Sequence, residues 1–218
     1  MLDPNDQVAS FVLRHSSAAL VFDRHYIDYC CQGHVPLALA CTNANIQLEG
    51  VLAELDAAFA EPDPESDPRT ASTSSLINRA LARQHRHLRA TLTLIDHQAR
   101  ELAREYGHVY ATVRALSIAL EHLRAEMLAH LDHEEDTLFP AMLTAITPES
   151  QAGLARMFDE HREFGDRFRR LRAQTNNYTA PVEANDNVKR LFRGVAELEA
   201  FVARHHHLEN HVLLPRFR

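Results

Sequence analysis

Two eleven-residue stretches, HLDHEEDTLFP at 130–140 and HHHLENHVLLP at 205–215, share one pattern: His, Glu four positions on, then two apolar residues and Pro. Helical residues four apart lie on one face, so His130 projects with Glu134 and His205 with Glu209. The repeat reaches further back. His85 precedes His130 by 45 residues and His161 precedes His205 by 44. Each of these two is followed by Arg and then by apolar residues at plus three and plus seven, Leu88 and Leu92 in one case, Phe164 and Phe168 in the other. The chain therefore reads as two copies of a helix pair, and stacking them with two-fold pseudosymmetry would bring four His and two Glu to one centre.

The apolar periodicity agrees. One stripe runs Leu81, His85, Leu88, Leu92, Ile95, Ala99, Leu102, and a second Leu116, Leu120, Leu123, Met127, His130, Glu134. A third, opened by Thr147 as N-cap with Pro148 at the first helical position, runs Leu154, Met157, His161, Phe164, Phe168, Leu171. The fourth is Leu191, Val195, Leu198, Val202, His205, Glu209, Val212. Steps of three and four predict four amphipathic helices closing as an antiparallel up-down bundle. With only 6 Gly among 218 residues and Ala, Leu, Arg, Glu and His abundant, an all-α chain is expected.

Ahead of the bundle, residues 7–60 carry short apolar segments punctuated by Ser16-Ser17, Gly33, Pro36 and Asn43/Asn45, which predicts a small helical domain over 1–60. The acidic, Pro-rich run EPDPESDPRTAST makes a linker over 61–73, leaving 74–218 to the bundle. A net charge of −7 argues against a nucleic-acid partner. No apolar run approaches the length of a membrane span, and the opening MLDPNDQ lacks the pattern of a secretory signal, so no membrane is expected and a cytoplasmic location is.

The six polar residues His85, His130, Glu134, His161, His205 and Glu209 all fall on apolar stripes. Burying two carboxylates without partners would cost several kcal/mol each, and no Lys or Arg shares their stripe. A metal pair supplies the missing positive charge. Imidazole with carboxylate and no thiolate suits iron, manganese or zinc. If both Glu bridge, each metal receives two imidazole nitrogens and two carboxylate oxygens. With an oxo or hydroxo bridge added, about one position stays open on each for a small molecule such as NO or O2. Glu126 and Glu160 stand near ligands, either to orient an imidazole or carry protons, or as plain surface residues. His87, His97, His108, His122, His133, His206, His207 and His211 fall off the stripes, which predicts solvated or supporting roles.

Three Cys, two of them adjacent, make no disulfide framework. Cys30 and Cys31 sit in DYCCQGH just before a Gly turn, where accessible thiolates, small buried residues, and a partial metal site of Cys31 with His34 are the competing readings.

The stretch FDRHYIDYCCQGHVPLALAC at 22–41, followed by the His and Glu bundle pattern, resembles the Ric family of repair-of-iron-centres proteins, in which an ScdA-like N-terminal domain precedes a hemerythrin-like di-iron domain. The resemblance covers essentially the whole chain, with one departure at Gln32, where the family usually has Gly. It implies two iron ions, oxo- and carboxylate-bridged, on the six stripe residues, with Glu134 and Glu209 bridging and Cys30 and Cys31 as transfer thiols. It further implies a stress protein that restores iron–sulfur clusters damaged by nitric oxide or oxidants, by donating iron to the damaged proteins. An enzyme or sink that binds or reduces NO, and a hemerythrin-like O2 or NO sensor, are the alternatives. A homodimer is also an expected partner arrangement.

Overall fold

The computed structural model describes residues 2–217, with Arg79 and Ala80 described as backbone only; Met1 and Arg218, the outer ends of the expected domains, lie outside the described residues. Helix is the one regular structure among the described residues, apart from an isolated bridge between Gln7 and Pro36. The elements are α1 (Val8–Arg14), α2 (Ala18–His25), α3 (Leu37–Ala44), α4 (Leu48–Ala60), the single turn α5 (Thr73–Ser75), α6 (Ala82–Tyr106), α7 (Ala111–His133), the short α8 (Phe139–Leu143), α9 (Pro148–Gln174) and α10 (Asp186–Leu208). The all-α expectation holds.

Residues 77–202 form one compact unit. Its core is built from the stripes: Leu88, Leu92 and Ile95 of α6, Leu116, Leu120 and Leu123 of α7, Phe164, Phe168 and Leu171 of α9, and Val188, Leu191, Val195 and Leu198 of α10. The four-residue connection 107–110 makes α6 and α7 antiparallel neighbours. Helix α9 starts as its sequence requires. The Thr147 hydroxyl accepts from the Ser150 amide at 3.2 Å, the Ser150 hydroxyl accepts from the Thr147 amide at 2.8 Å, and Pro148 occupies the first turn, where a missing N–H costs nothing. The Asn185 carboxamide oxygen closes the start of α10 in the same sense, accepting from the amides of Asn187 and Val188, each at 3.0 Å.

The second unit joins residues 1–76 with residues 203–218. Helices α1 to α4 enclose Val8, Phe11, Val21, Phe22, Tyr29, Leu37, Val51 and Leu55, with Phe11 and Phe22 edge to face at 6.2 Å between ring centres. Ala203 packs against this core. The chain after it is tied down by named bonds: the Arg204 guanidinium to Asp23, His207 Nδ1 to the Tyr29 carbonyl (3.1 Å), and Arg216 to Thr73 Oγ1 (3.2 Å) and the Arg69 carbonyl (3.3 Å). The acidic run also has local anchors. Asp63 accepts from the Ser16 amide at 3.0 Å, and Asp67 caps a 3-10 turn at Pro68–Thr70.

Candidate metal centre

Both copies of the repeated motif leave the α-helix at the same residue. The backbone changes to a wider π-turn over Glu134–Leu138 and again over Glu209–Leu213, and the Glu134 and Glu209 carbonyls accept from the amides of Phe139 and Leu214, five residues on. Pro140 and Pro215 explain this, since each lacks an N–H and its ring would clash with the carbonyl four residues back. The His-to-Glu spacing is untouched, because the Glu134 amide still bonds the His130 carbonyl.

In the bundle unit, α6 supplies His85, α7 supplies His130, the π-turn supplies Glu134 and α9 supplies His161; their exposures are 0, 4, 0 and 0%. The three imidazoles surround the one carboxylate. His130 Nε2 lies 3.2 Å and His161 Nε2 3.7 Å from Glu134 Oε1, whereas His85 Nε2 lies 3.4 Å from Oε2. The two oxygens therefore face different imidazole sets, and neither receives a well-directed hydrogen bond. Burial opposes ionisation of Glu134, but the charge and contacts of His130 and His161 outweigh it and hold the carboxyl well below its usual range. Burial likewise works against a cation at His130, yet Glu134 and Glu160 push its pKa from 6.5 up to about 9.

Two of the three outer nitrogens face carboxylates. Glu160 Oε2 takes His130 Nδ1 at 2.7 Å, and Glu135 Oε1 takes His85 Nδ1 at 2.8 Å. Of the two carboxylates left open by sequence, Glu160 orients an imidazole and Glu126 makes a surface pair with Arg167 at 2.7 Å. Sequence reasoning missed Glu135, which follows Glu134 and carries no helical spacing to His85.

In the other unit, His205 and Glu209, both 0% exposed, form their own pair, with Nε2 3.4 Å from Oε2. Of the two roles expected for the histidines next to them, burial removes the solvated one: His206 and His207 are 1 and 6% exposed. Burial and the neighbouring His211 push the pKa of His207 down to about 3, so it is a neutral donor to the Tyr29 carbonyl. Asn210 and His211 both donate to the Cys30 carbonyl, at 3.2 and 2.8 Å.

The Cys pair is also buried, each residue 6% exposed, with the sulfurs 3.3 Å apart. The contact with Cys31, burial and the Asp28 charge push the Cys30 thiol well above its usual range, so the loop presents a thiol where an accessible thiolate was among the expectations. Asp28, and not the exposed His34, completes the group: its Oδ1 accepts from both Cys amides, at 3.1 and 2.8 Å, and from Cys30 Sγ at 3.3 Å. Gly33 permits this packing, because a Cβ there would meet the Tyr29 carbonyl at 2.5 Å and His211 Nε2 at 2.7 Å. The departure at Gln32 falls on an exposed position.

A helical bundle that turns three imidazoles onto one buried carboxylate defines a cation-binding bundle protein. Comparison with known families agrees: the Hemerythrin HHE cation binding domain matches residues 76–217, and ScdA_N, described as a domain of unknown function (DUF542), matches residues 4–59. The chain belongs to the hemerythrin-like family of the iron–sulfur cluster repair proteins YtfE. It is 31% identical to the iron–sulfur cluster repair protein YtfE of Citrobacter koseri and 32% identical to those of Escherichia coli and Shigella boydii, in each case over 91% of this chain and 90% of the relative. No helix among the described residues is long and apolar enough to cross a membrane.

Proposed function

We propose that His85, His130, Glu134, His161, His205 and Glu209 together hold two iron ions, and that the protein donates iron to iron–sulfur proteins damaged by nitric oxide or oxidants in the cytoplasm. The observation that carries the reading is Glu134: a fully buried carboxylate whose two oxygens face different imidazoles at 3.2–3.7 Å, which is how a bridge between two cations is set up. His205 and Glu209 enter through the internal repeat, which makes them the counterparts of His130 and Glu134. The residues present suit such ions. An ionised carboxylate only accepts hydrogen bonds, so when a metal displaces the proton from Nε2, Glu135 and Glu160 can keep the remaining proton of His85 and His130 on Nδ1. Bound iron would supply the cluster under repair with its missing metal and offer an open position to NO or O2.

Within this reading the division of labour is direct. Imidazoles and carboxylates retain the ions, and Asp28 holds Cys30 and Cys31 as a close pair of soft donors able to pass iron on once deprotonated. The test is reactivation of a nitric-oxide-damaged [4Fe-4S] enzyme by the iron-loaded protein. Cys30→Ser with Cys31→Ser should leave iron content intact and reduce reactivation, with thermal unfolding measured alongside to check folding. Full reactivation by the stably folded double variant refutes the transfer role. Absence of reactivation by the unaltered iron-loaded protein refutes donation itself.

A further inference from the structure

The two copies of the motif part company at the residue after the buried glutamate: Glu135 in the first, Asn210 in the second. Asn210 is buried and gives its amide to the Cys30 carbonyl at 3.2 Å. Glu135 instead has a side chain 42% exposed and points at α6, where Oε1 takes His85 Nδ1 at 2.8 Å and Oε2 takes Arg89 Nη2 at 3.1 Å. Arg89 is gripped from its other side by Asp132, at 2.8 Å. Asp132, Arg89 and Glu135 thus make a chain of charge from the surface to His85, whose other nitrogen faces Glu134 at 3.4 Å.

We propose that Glu135 is a positioning residue of the metal centre, fixing the tautomer and ring direction of His85 and so setting how firmly the ion on that side is held, with Arg89 keeping its carboxylate aimed. The proposal rests on the six-residue centre proposed above. An imidazole that gives its N–H to a carboxylate is a better electron donor through its other nitrogen, and losing such a partner weakens metal binding by about 10–100-fold. Arg89 contributes by holding two carboxylates at once.

The test uses the full chain loaded with iron, in three variants: Glu135→Leu, which removes charge and acceptor, Glu135→Gln, which keeps an acceptor without the charge, and Glu101→Gln, an equal charge change at a pair with Arg104 elsewhere on α6. Loss of ferrous iron to a coloured chelator is followed in time, and the His85 tautomer is read by 15N NMR of the metal-free protein. Glu135→Leu should release one of the two irons about tenfold or more faster and leave the other at the parental rate, with Glu135→Gln between and Glu101→Gln unchanged. Parental rates for both irons in Glu135→Leu overturn the proposal. So does equal acceleration of both with a lowered unfolding temperature, which marks a structural role. If the unaltered protein holds fewer than two irons, the six-residue reading fails by itself. The NMR arm then decides the matter for Glu135: Nδ1–H in the parent and a shifted tautomer in Glu135→Leu support it, and identical spectra overturn it.

Discussion

Replacing Asp23 by Asn should stabilise the protein at neutral pH, although it removes an ion pair. The Asp23 side chain is 16% exposed, pairs with Arg204 beside the His205 turn, and accepts from the Tyr29 hydroxyl at 3.0 Å. Burial outweighs Arg204 and Tyr29 and pushes its pKa from 3.8 up to about 6. A folded-state value above the unfolded one means that the stability gained from this group is full below 3.8 and is lost as pH rises through about 6. That displacement corresponds to about 3 kcal/mol of penalty for the ionised acid above neutrality. Asn imitates the protonated acid in shape: its oxygen can accept from Arg204 while its amide donates to the Tyr29 hydroxyl oxygen, and Arg204 is exposed enough to be hydrated in addition. Allowing about 1 kcal/mol at any pH for imperfect hydrogen bonds, the variant should gain about 1–2 kcal/mol near pH 7.5 and be no more stable than its parent near pH 4. Urea unfolding of both metal-free proteins, followed by circular dichroism at the two pH values, measures this. A variant less stable than its parent near pH 7.5, or a difference independent of pH, would refute the reasoning.

Three further outcomes are expected. Glu134→Ala and Glu209→Ala should each lose iron or its magnetic exchange coupling, and unchanged iron content with unchanged coupling in both would rule these residues out as bridges. A chain beginning at Ser72 should retain both irons but exchange its amides faster over 203–217, because His207, Asn210 and His211 lose the Tyr29 and Cys30 carbonyls as acceptors; loss of iron with helicity kept would point to a ligand in the first 71 residues. Phe168→Ala, at a site 2% exposed in the bundle core, should cost about 3–5 kcal/mol by chemical denaturation. Leu94→Ala, at a site 55% exposed, should stay within about 0.5 kcal/mol, and similar costs at both positions would contradict the core assignment.

The bundle was legible because its signal is local: stripes at steps of three and four mark the buried faces, and Thr147-Pro148 marks a helix start. His85, His130, Glu134 and His161 were legible for the same reason, being polar residues on apolar stripes. What escaped the sequence depends on contacts between distant residues. His206 and His207 lie off the stripe of α10, yet are buried; the Tyr29 carbonyl of the first-domain loop takes His207 directly. Asp28 could not be distinguished from His34 as the companion of the Cys pair, since only the folded loop shows which side chain turns back onto the two amides. Glu135 escaped because its bond to His85 joins residues 50 apart, with no periodicity to announce it.

The proposed two-iron centre is open to direct measurement. Iron analysis with Mössbauer spectroscopy on the full-length protein, expressed with adequate iron, tests it most directly. Two irons per chain in a single exchange-coupled centre, with near-ultraviolet absorption from an oxo bridge, are expected. One metal per chain, two uncoupled irons, or zinc alone would contradict it.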